Sequence, residues 1–146
     1  MSAATLQNVA PEVAEAGAVT LRPARYEDAP ECARITFEAF KSIHDRHQFR
    51  RDFESIEHAR GLAEMFISHP SFYGVVAELD GRVVGSNFLD ERSDMRGVGP
   101  ITVDPTLQRK GVGRQLMRAV VERGRDARGV RLVQDSFNNL GCVARN

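Results

Sequence analysis

The stretch FYGVVAELDGRVVGSNFLDE, residues 72–91, limits the possible folds more than any other part of the chain. Two Val-rich runs flank Asp80 and Gly81. A two-residue type I′ turn needs positive φ at both positions, and this pair accepts it, so the runs are expected to form an antiparallel hairpin. The next apolar stretch, GVGPITVD, is expected to return as a third strand of the same meander. Such a meander does not suit a doubly wound nucleotide-binding sheet, whose strands run mostly parallel.

Elements on either side fill in the order. AVTLRPA reads as a short first strand ending at Pro23. Asp28 and Glu31 have the spacing of a reciprocal helix cap, with Ala29, Ala33, Phe37 and Phe40 on one face of the helix that follows. KSIHDRHQFRRDF is polar and reads as a loop or a poorly formed helical turn. A second helix is expected from near Ser55 until Pro70 stops it. After the meander, a helix beginning near Gly113 buries Val112, Leu116, Ala119 and Val120 and exposes Arg114, Arg118, Glu122 and Arg125. VRLVQDSF is then a last strand, parallel to PITVD because a helix joins the two. The expected class is α/β: a mixed, mostly antiparallel sheet with flanking helices.

The 146 residues suffice for one domain, expected over 18–146 behind a disordered tail, 1–17. Lys plus Arg equal Asp plus Glu at 20 each, so the protein as a whole is no electrostatic binder of nucleic acid or membrane, and any basic site must be local. No apolar run approaches the roughly 18 residues of a membrane-spanning helix, and the first residues lack the pattern of a signal peptide. Cys32 and Cys142 form no disulfide framework, which fits a reducing compartment; a cytoplasmic location is the expectation.

The chemistry concentrates in DPTLQRKGVGRQL, residues 104–116. Pro105 ends a strand, Gly111 and Gly113 let a ligand approach the backbone, and a helix begins there with unpaired N–H groups and a partial positive charge. With Arg109, Lys110 and Arg114 these features suit a phosphate or pyrophosphate, although a solvated glycine loop has the same letters. No Walker loop is present. GVGRQL has Leu116 where a dinucleotide fingerprint has its third glycine. Its distance from Val103 is too long, even with Asp135 near the position of a ribose-binding acid.

Gln108-Arg109-Lys110-Gly111-Val112-Gly113 resembles the Q/R-x-x-G-x-G/A loop of the GNAT superfamily of acyl-CoA-dependent N-acyltransferases. The likeness extends to VTLRPARYEDAPECARITFEAF, to the hairpin with GRVVG and to ITVDP, over about residues 18 to 138. The resemblance implies acetyl-CoA as acyl donor, a small amine or peptide as acceptor, and no metal. Main-chain groups of Ile101, Thr102 and Val103 would line the pantetheine arm, and N–H groups from Arg109 through Lys110, Gly111, Val112 and Gly113 to Arg114 would hold the pyrophosphate. Asn138 matches an asparagine that often contacts coenzyme A, and is as readily a turn residue.

For the chemistry, the N–H of Val103 is the expected oxyanion donor and Glu91 or Asp90 the expected base, the alternative for LDERSD being a solvated acidic turn. His44 and His47 flank Asp45 without further ligands at metal spacing. Arg46, Arg50 and Arg51 are candidates to border the acceptor site, where arginines can pair with a carboxylate or phosphate. The family's pattern continues past QDSFN with a helix, carrying a tyrosine that protonates the leaving thiolate, and further strands; here NLGCVARN follows, and the two tyrosines are Tyr26 and Tyr73. The expectation is a domain lacking its last helix and strands, with an exposed sheet edge that invites a homodimer. Transfer of acetyl from acetyl-CoA to a primary amine is the leading reading. A catalytically silent acyl-CoA-binding or interaction module is the alternative.

Overall fold

The computed structural model describes residues 17–48, 53–107 and 110–133. Strand β1 (Thr20–Pro23) leads through a 3-10 turn (Tyr26–Asp28) into α1 (Ala29–His47) and then α2 (Ile56–Ser68). Strands β2 (Phe72–Leu79), β3 (Arg82–Asp90), β4 (Met95–Val98) and β5 (Thr102–Val103) follow, then a 3-10 turn (Pro105–Leu107), α3 (Val112–Arg123) and β6 (Gly129–Leu132). The sheet order is β1-β2-β3-β4-β6, with β5 also paired to β3. All pairs are antiparallel except β4 with β6. The fold is α/β with a mixed, mostly antiparallel sheet flanked by helices, as the sequence led us to expect.

The hairpin forms around Asp80 at φ 52° and Gly81 at φ 75°, with Leu79 opposite Arg82. β3 is central and almost wholly buried, because helices cover both of its faces. On one face α3 packs Val112, Leu116 and Val120 against Val75, Ala77, Val84 and Leu89. These α3 positions are four apart, and so fall on one stripe of the helix. On the other face Ala29, Cys32 and Ile35 of α1 and Ala63 of α2 pack on Val76 and Val83. A Cβ on Gly85 would stand 2.9 Å from the Thr102 carbonyl oxygen and 3.0 Å from Leu116 Cδ1. Glycine at that position lets β5 and α3 close on β3.

Several local expectations are corrected. GVGPITVD is two strands, not one: Pro100 has no N–H for a ladder, and Gly99 takes φ 118°. The described part of VRLVQDSF, in β6, runs parallel to β4, with Val98 opposite Leu132; the residues that would continue beside PITVD lie outside the described ones. α1 continues through SIHDRH to His47, ending on Gln48 in the left-handed region. Asp28 does not cap α1: its carboxylate turns back to the N–H of Arg25 at 2.7 Å and to the Arg22 guanidinium, while Glu31 binds Arg34. Phe37 and Phe40 are half-buried, and the buried stripe is Ala29, Cys32, Ala33, Ile35, Thr36 and Ala39. Ser55 does cap α2, accepting the His58 N–H. The expected tail up to residue 16, the end of VRLVQDSF and all beyond it lie outside the described residues.

Candidate functional site

The site is built where β5 leaves its neighbours. β3 pairs Leu89 with Val98 in β4 and Ser86 with Thr102 in β5. Between these pairs the chain takes three steps along β3 and four along the facing strand, so one extra residue bulges out around Pro100 and Ile101. Within the described residues, β6 follows β4 as far as Val98. Among the described residues, no strand pairs with β5 on the side away from β3.

The edge so opened belongs to Val103. The Asp104 N–H donates to the Val84 carbonyl at 2.8 Å, and Thr102 lies opposite Ser86. Successive residues of a strand turn their N–H and C=O groups to opposite sides, so those of Val103 point away from β3. The same alternation turns Thr102 the other way. Its main-chain groups face β3, and its buried hydroxyl lies 3.2 Å from that of Thr36 and 3.4 Å from that of Ser86. Ile101 adjoins the bulge and packs partly against the core.

Facing this edge is the start of α3. Gly111 precedes the helix at φ 79° and ψ 4°, a conformation that side chains resist. A Cβ on Gly113 would meet Val103 Cγ2 at 3.7 Å and nothing else within 4 Å, so packing inside the protein does not require glycine there. The first N–H groups of the helix have no intrahelical acceptor and carry the positive end of its dipole. Lys110 and Arg114 are exposed, and among the described residues neither is paired with a carboxylate. Arg22, Arg34, Arg60, Arg92, Arg96, Arg123 and Arg125, by contrast, are all paired. Arg109 and Asn138 lie outside the described residues, as do Arg50 and Arg51.

The structure does not bring the expected base to this edge. Glu91 follows the end of β3, and its carboxylate is bonded by Arg96 of β4 and by Arg123 at 3.1 Å, the last residue of α3. Val103 and Gly113 stand at the first turn of the same helix, whose 12 residues span about 18 Å. Glu91 thus ties β3, β4 and the far end of α3 together, with Arg123 also stacked on Tyr73. Asp90 is bound by the N–H and guanidinium of Arg92, whose hydrogen bonds hold its pKa down to about 2. LDERSD is therefore neither a pair of free bases nor merely a solvated turn. His44 is buried in α1, its ring 6.1 Å from that of Phe40. Among the described residues no cluster of His, Cys, Asp and Glu is arranged to hold a metal ion, and no helix is long and apolar enough to cross a membrane.

Sequence reasoning missed one residue that shapes this region. Asp104, 7% exposed, joins β5 to the 3-10 turn and accepts hydrogen bonds from Thr106 and Arg34. The signal was present in Asp104-Pro105-Thr106, since an aspartate readily bonds the N–H two residues on. Arg34 cannot be read from spacing, 70 residues away.

Comparison with solved structures places this architecture among acetyltransferases. A GNAT family acetyltransferase from Brucella melitensis, in complex with acetyl-CoA, is similar with TM-score 0.66 and 23% identity, over 88% of this chain and 84% of that one. The aminoglycoside N-acetyltransferase AAC(6')-Iy in complex with CoA gives 0.68 and 15%, over 90% and 86%. The PaiA N-acetyltransferase from Thermoplasma acidophilum in complex with coenzyme A gives 0.66 and 15%, over 86% and 84%. No curated protein matches the chain. The model of the acetyltransferase (GNAT) family matches residues 29–142, a span that includes the bulged strand, its open edge and the glycine loop: this chain belongs to the GNAT acetyltransferase family.

Proposed function

We propose that the chain is an acyl-CoA-dependent N-acetyltransferase that moves an acetyl group from acetyl-CoA to a primary amine, on a small molecule or a peptide. The observation that carries this reading is the outward-facing edge of Val103 beside the glycine-led start of α3. An unpaired strand edge suits the amide groups of a pantetheine arm. The first turn of α3, with Lys110 and Arg114 unpaired, suits the pyrophosphate at its other end. Each charge-assisted bond there is worth about 1.5–3 kcal/mol. The complexes of the Brucella and Thermoplasma proteins with acetyl-CoA and coenzyme A support the same ligand.

In the proposed reaction the amine nitrogen attacks the thioester carbon. The new C–N bond forms, the C–S bond breaks, and the proton lost by the amine balances the one gained by the departing thiolate. The N–H of Val103 is the proposed donor to the oxyanion, fixed in place by the β3–β5 ladder on either side of it. Ile101 is proposed to line the arm at the bulge, and Arg109 and Asn138 are retained from the family resemblance. Glu91 and Asp90 are not retained as base, because arginines hold both carboxylates.

Calorimetric titration with acetyl-CoA, beside a Gly111→Glu, Gly113→Glu double variant, tests the binding half. Thiol release with a panel of primary amines tests the transfer half. Saturable binding by the wild type alone, with amine-dependent thiol release, is the expected result. Binding without release by any amine would leave an acyl-CoA-binding module. No binding by the folded wild type would refute the proposal.

A further inference from the structure

We propose that Asp104 is the positioning residue of the donor site, holding the glycine loop at the angle that presents its N–H groups to the pyrophosphate of coenzyme A. The inference rests on the acetyl-CoA reading above. It assigns Asp104 no contact with the ligand.

Asp104 is where the open strand becomes the loop, and its bonds run in every direction the loop needs fixing. Its N–H donates to Val84 at 2.8 Å, which joins it to the central strand. Its carbonyl accepts the Leu107 N–H at 2.8 Å, and the Leu107 carbonyl in turn accepts the Lys110 N–H at 3.4 Å. Oδ1 accepts both the N–H and the hydroxyl of Thr106, at 3.0 and 2.7 Å. Oδ2 accepts from Arg34 Nη2 at 3.2 Å, and Arg34 is itself held to Glu31 at 2.7 Å on α1. Pro105 has no N–H to donate, and the Asp104 side chain accepts the next one, that of Thr106. The carboxylate is almost fully buried. Burial alone would raise its pKa, but the bonds from Thr106 and Arg34 hold it below the ordinary value.

Among the described residues between Asp104 and Gly111 no strand pairing holds the loop, and this hub links it to both β3 and α1. A set of N–H donors binds a polyanion well only when its geometry is held to within about half an ångström. Loosening the hub therefore weakens binding of the part of the ligand that the loop holds. It leaves untouched the part that lies along Val103, because the ladder from Thr102 to β3 does not depend on the carboxylate.

That difference supplies the test. Affinities of the wild type, Asp104→Asn and Thr106→Val for coenzyme A and for S-acetylpantetheine, which lacks the pyrophosphate, are measured by calorimetry and by NMR titration. Asp104→Asn is expected to weaken coenzyme A about tenfold, the equivalent of one lost interaction of ordinary size, with S-acetylpantetheine changed less than about twofold. Thr106→Val, at an exposed position and so safe for the fold, is expected to weaken coenzyme A about threefold, again selectively. Unchanged affinity for coenzyme A in either folded variant would overturn the inference. So would an equal loss for both ligands, which is the mark of a merely structural role. If Asp104→Asn does not fold, Thr106→Val decides alone. A wild type that ignores coenzyme A would instead overturn the acetyl-CoA reading, and this inference with it.

Discussion

Alanine at Gly113 should make the protein more stable and a poorer binder of acetyl-CoA. Gly113 is the second residue of α3, and its φ is not in the left-handed region. A Cβ there meets Val103 Cγ2 at an ordinary 3.7 Å, so nothing has to move. Alanine is favoured over glycine by up to about 1 kcal/mol inside a helix, and about half of that is expected in a first turn. Gly111 is the control, since it too has open space around its Cβ position but sits at φ 79°. Alanine there should cost about 1 kcal/mol from backbone conformation alone. Thermal unfolding should therefore rise by a degree or two for Gly113→Ala and fall by about 2–4 °C for Gly111→Ala. The methyl group at 113 points at Val103, into the space between helix and open edge. If the pyrophosphate lies there, calorimetry should show acetyl-CoA weakened about ten- to a hundredfold, the loss of one charge-assisted bond. A stabilised Gly113→Ala that binds acetyl-CoA like the wild type would refute this placement of the ligand.

Three further outcomes follow from the same geometry. Leu116→Ala, at a fully buried position against Val84 and Leu89, should cost about 3 kcal/mol in urea unfolding. Glu91→Gln should lose about 1–2 kcal/mol of stability by loosening Arg96 and Arg123 from β3, yet leave amine-dependent thiol release unchanged below the unfolding range; a loss of turnover with normal stability would restore Glu91 as the base. Asp28 is held below the ordinary carboxylate pKa, chiefly by its hydrogen bonds from Arg22. Because the folded value is the lower one, its stabilisation is complete above the unfolded pKa, near 4, and is lost as pH falls through the folded value. Urea unfolding at pH 7 and pH 3 should show a smaller acid loss in Asp28→Asn than in the wild type.

What the sequence made legible was local. The turn at Asp80 and Gly81, the buried stripe of α3 and the cap at Ser55 each depend on residues within one or two turns of one another. The misread features depend on distant partners. Asp28 has cap spacing, but Arg22 on β1 offers a charged donor at 2.7 Å and turns it away. KSIHDRH looks like a loop by polarity, whereas Phe40, Phe53 and His58 pack their rings edge to face and support the last turns of α1. Glu91 looked available to a cleft because its two arginines lie 5 and 32 residues away, on strands and helices that had to be placed first.

The outward-facing edge of Val103 falls between these cases, and Pro100 shows why. A proline inside an apparent strand is a local signal, since it removes a ladder donor and predicts a break. The same reasoning that ended a strand at Pro105 applies at Pro100. What no local signal supplies is the consequence. The break matters because, within the described residues, β6 pairs parallel with β4 as far as Val98 while β3 continues to hold Thr102. A strand paired along that side of β5 would take up the Val103 N–H, and among the described residues none does. The open edge is thus a property of three strands at once. On the acetyl-CoA reading, Gly111-Val112-Gly113 would act together with the outward-facing groups of Val103 beside them. That ranking also orders the experiments: a substitution that closes the gap at Gly113 bears on function more directly than any change to the charges around Glu91.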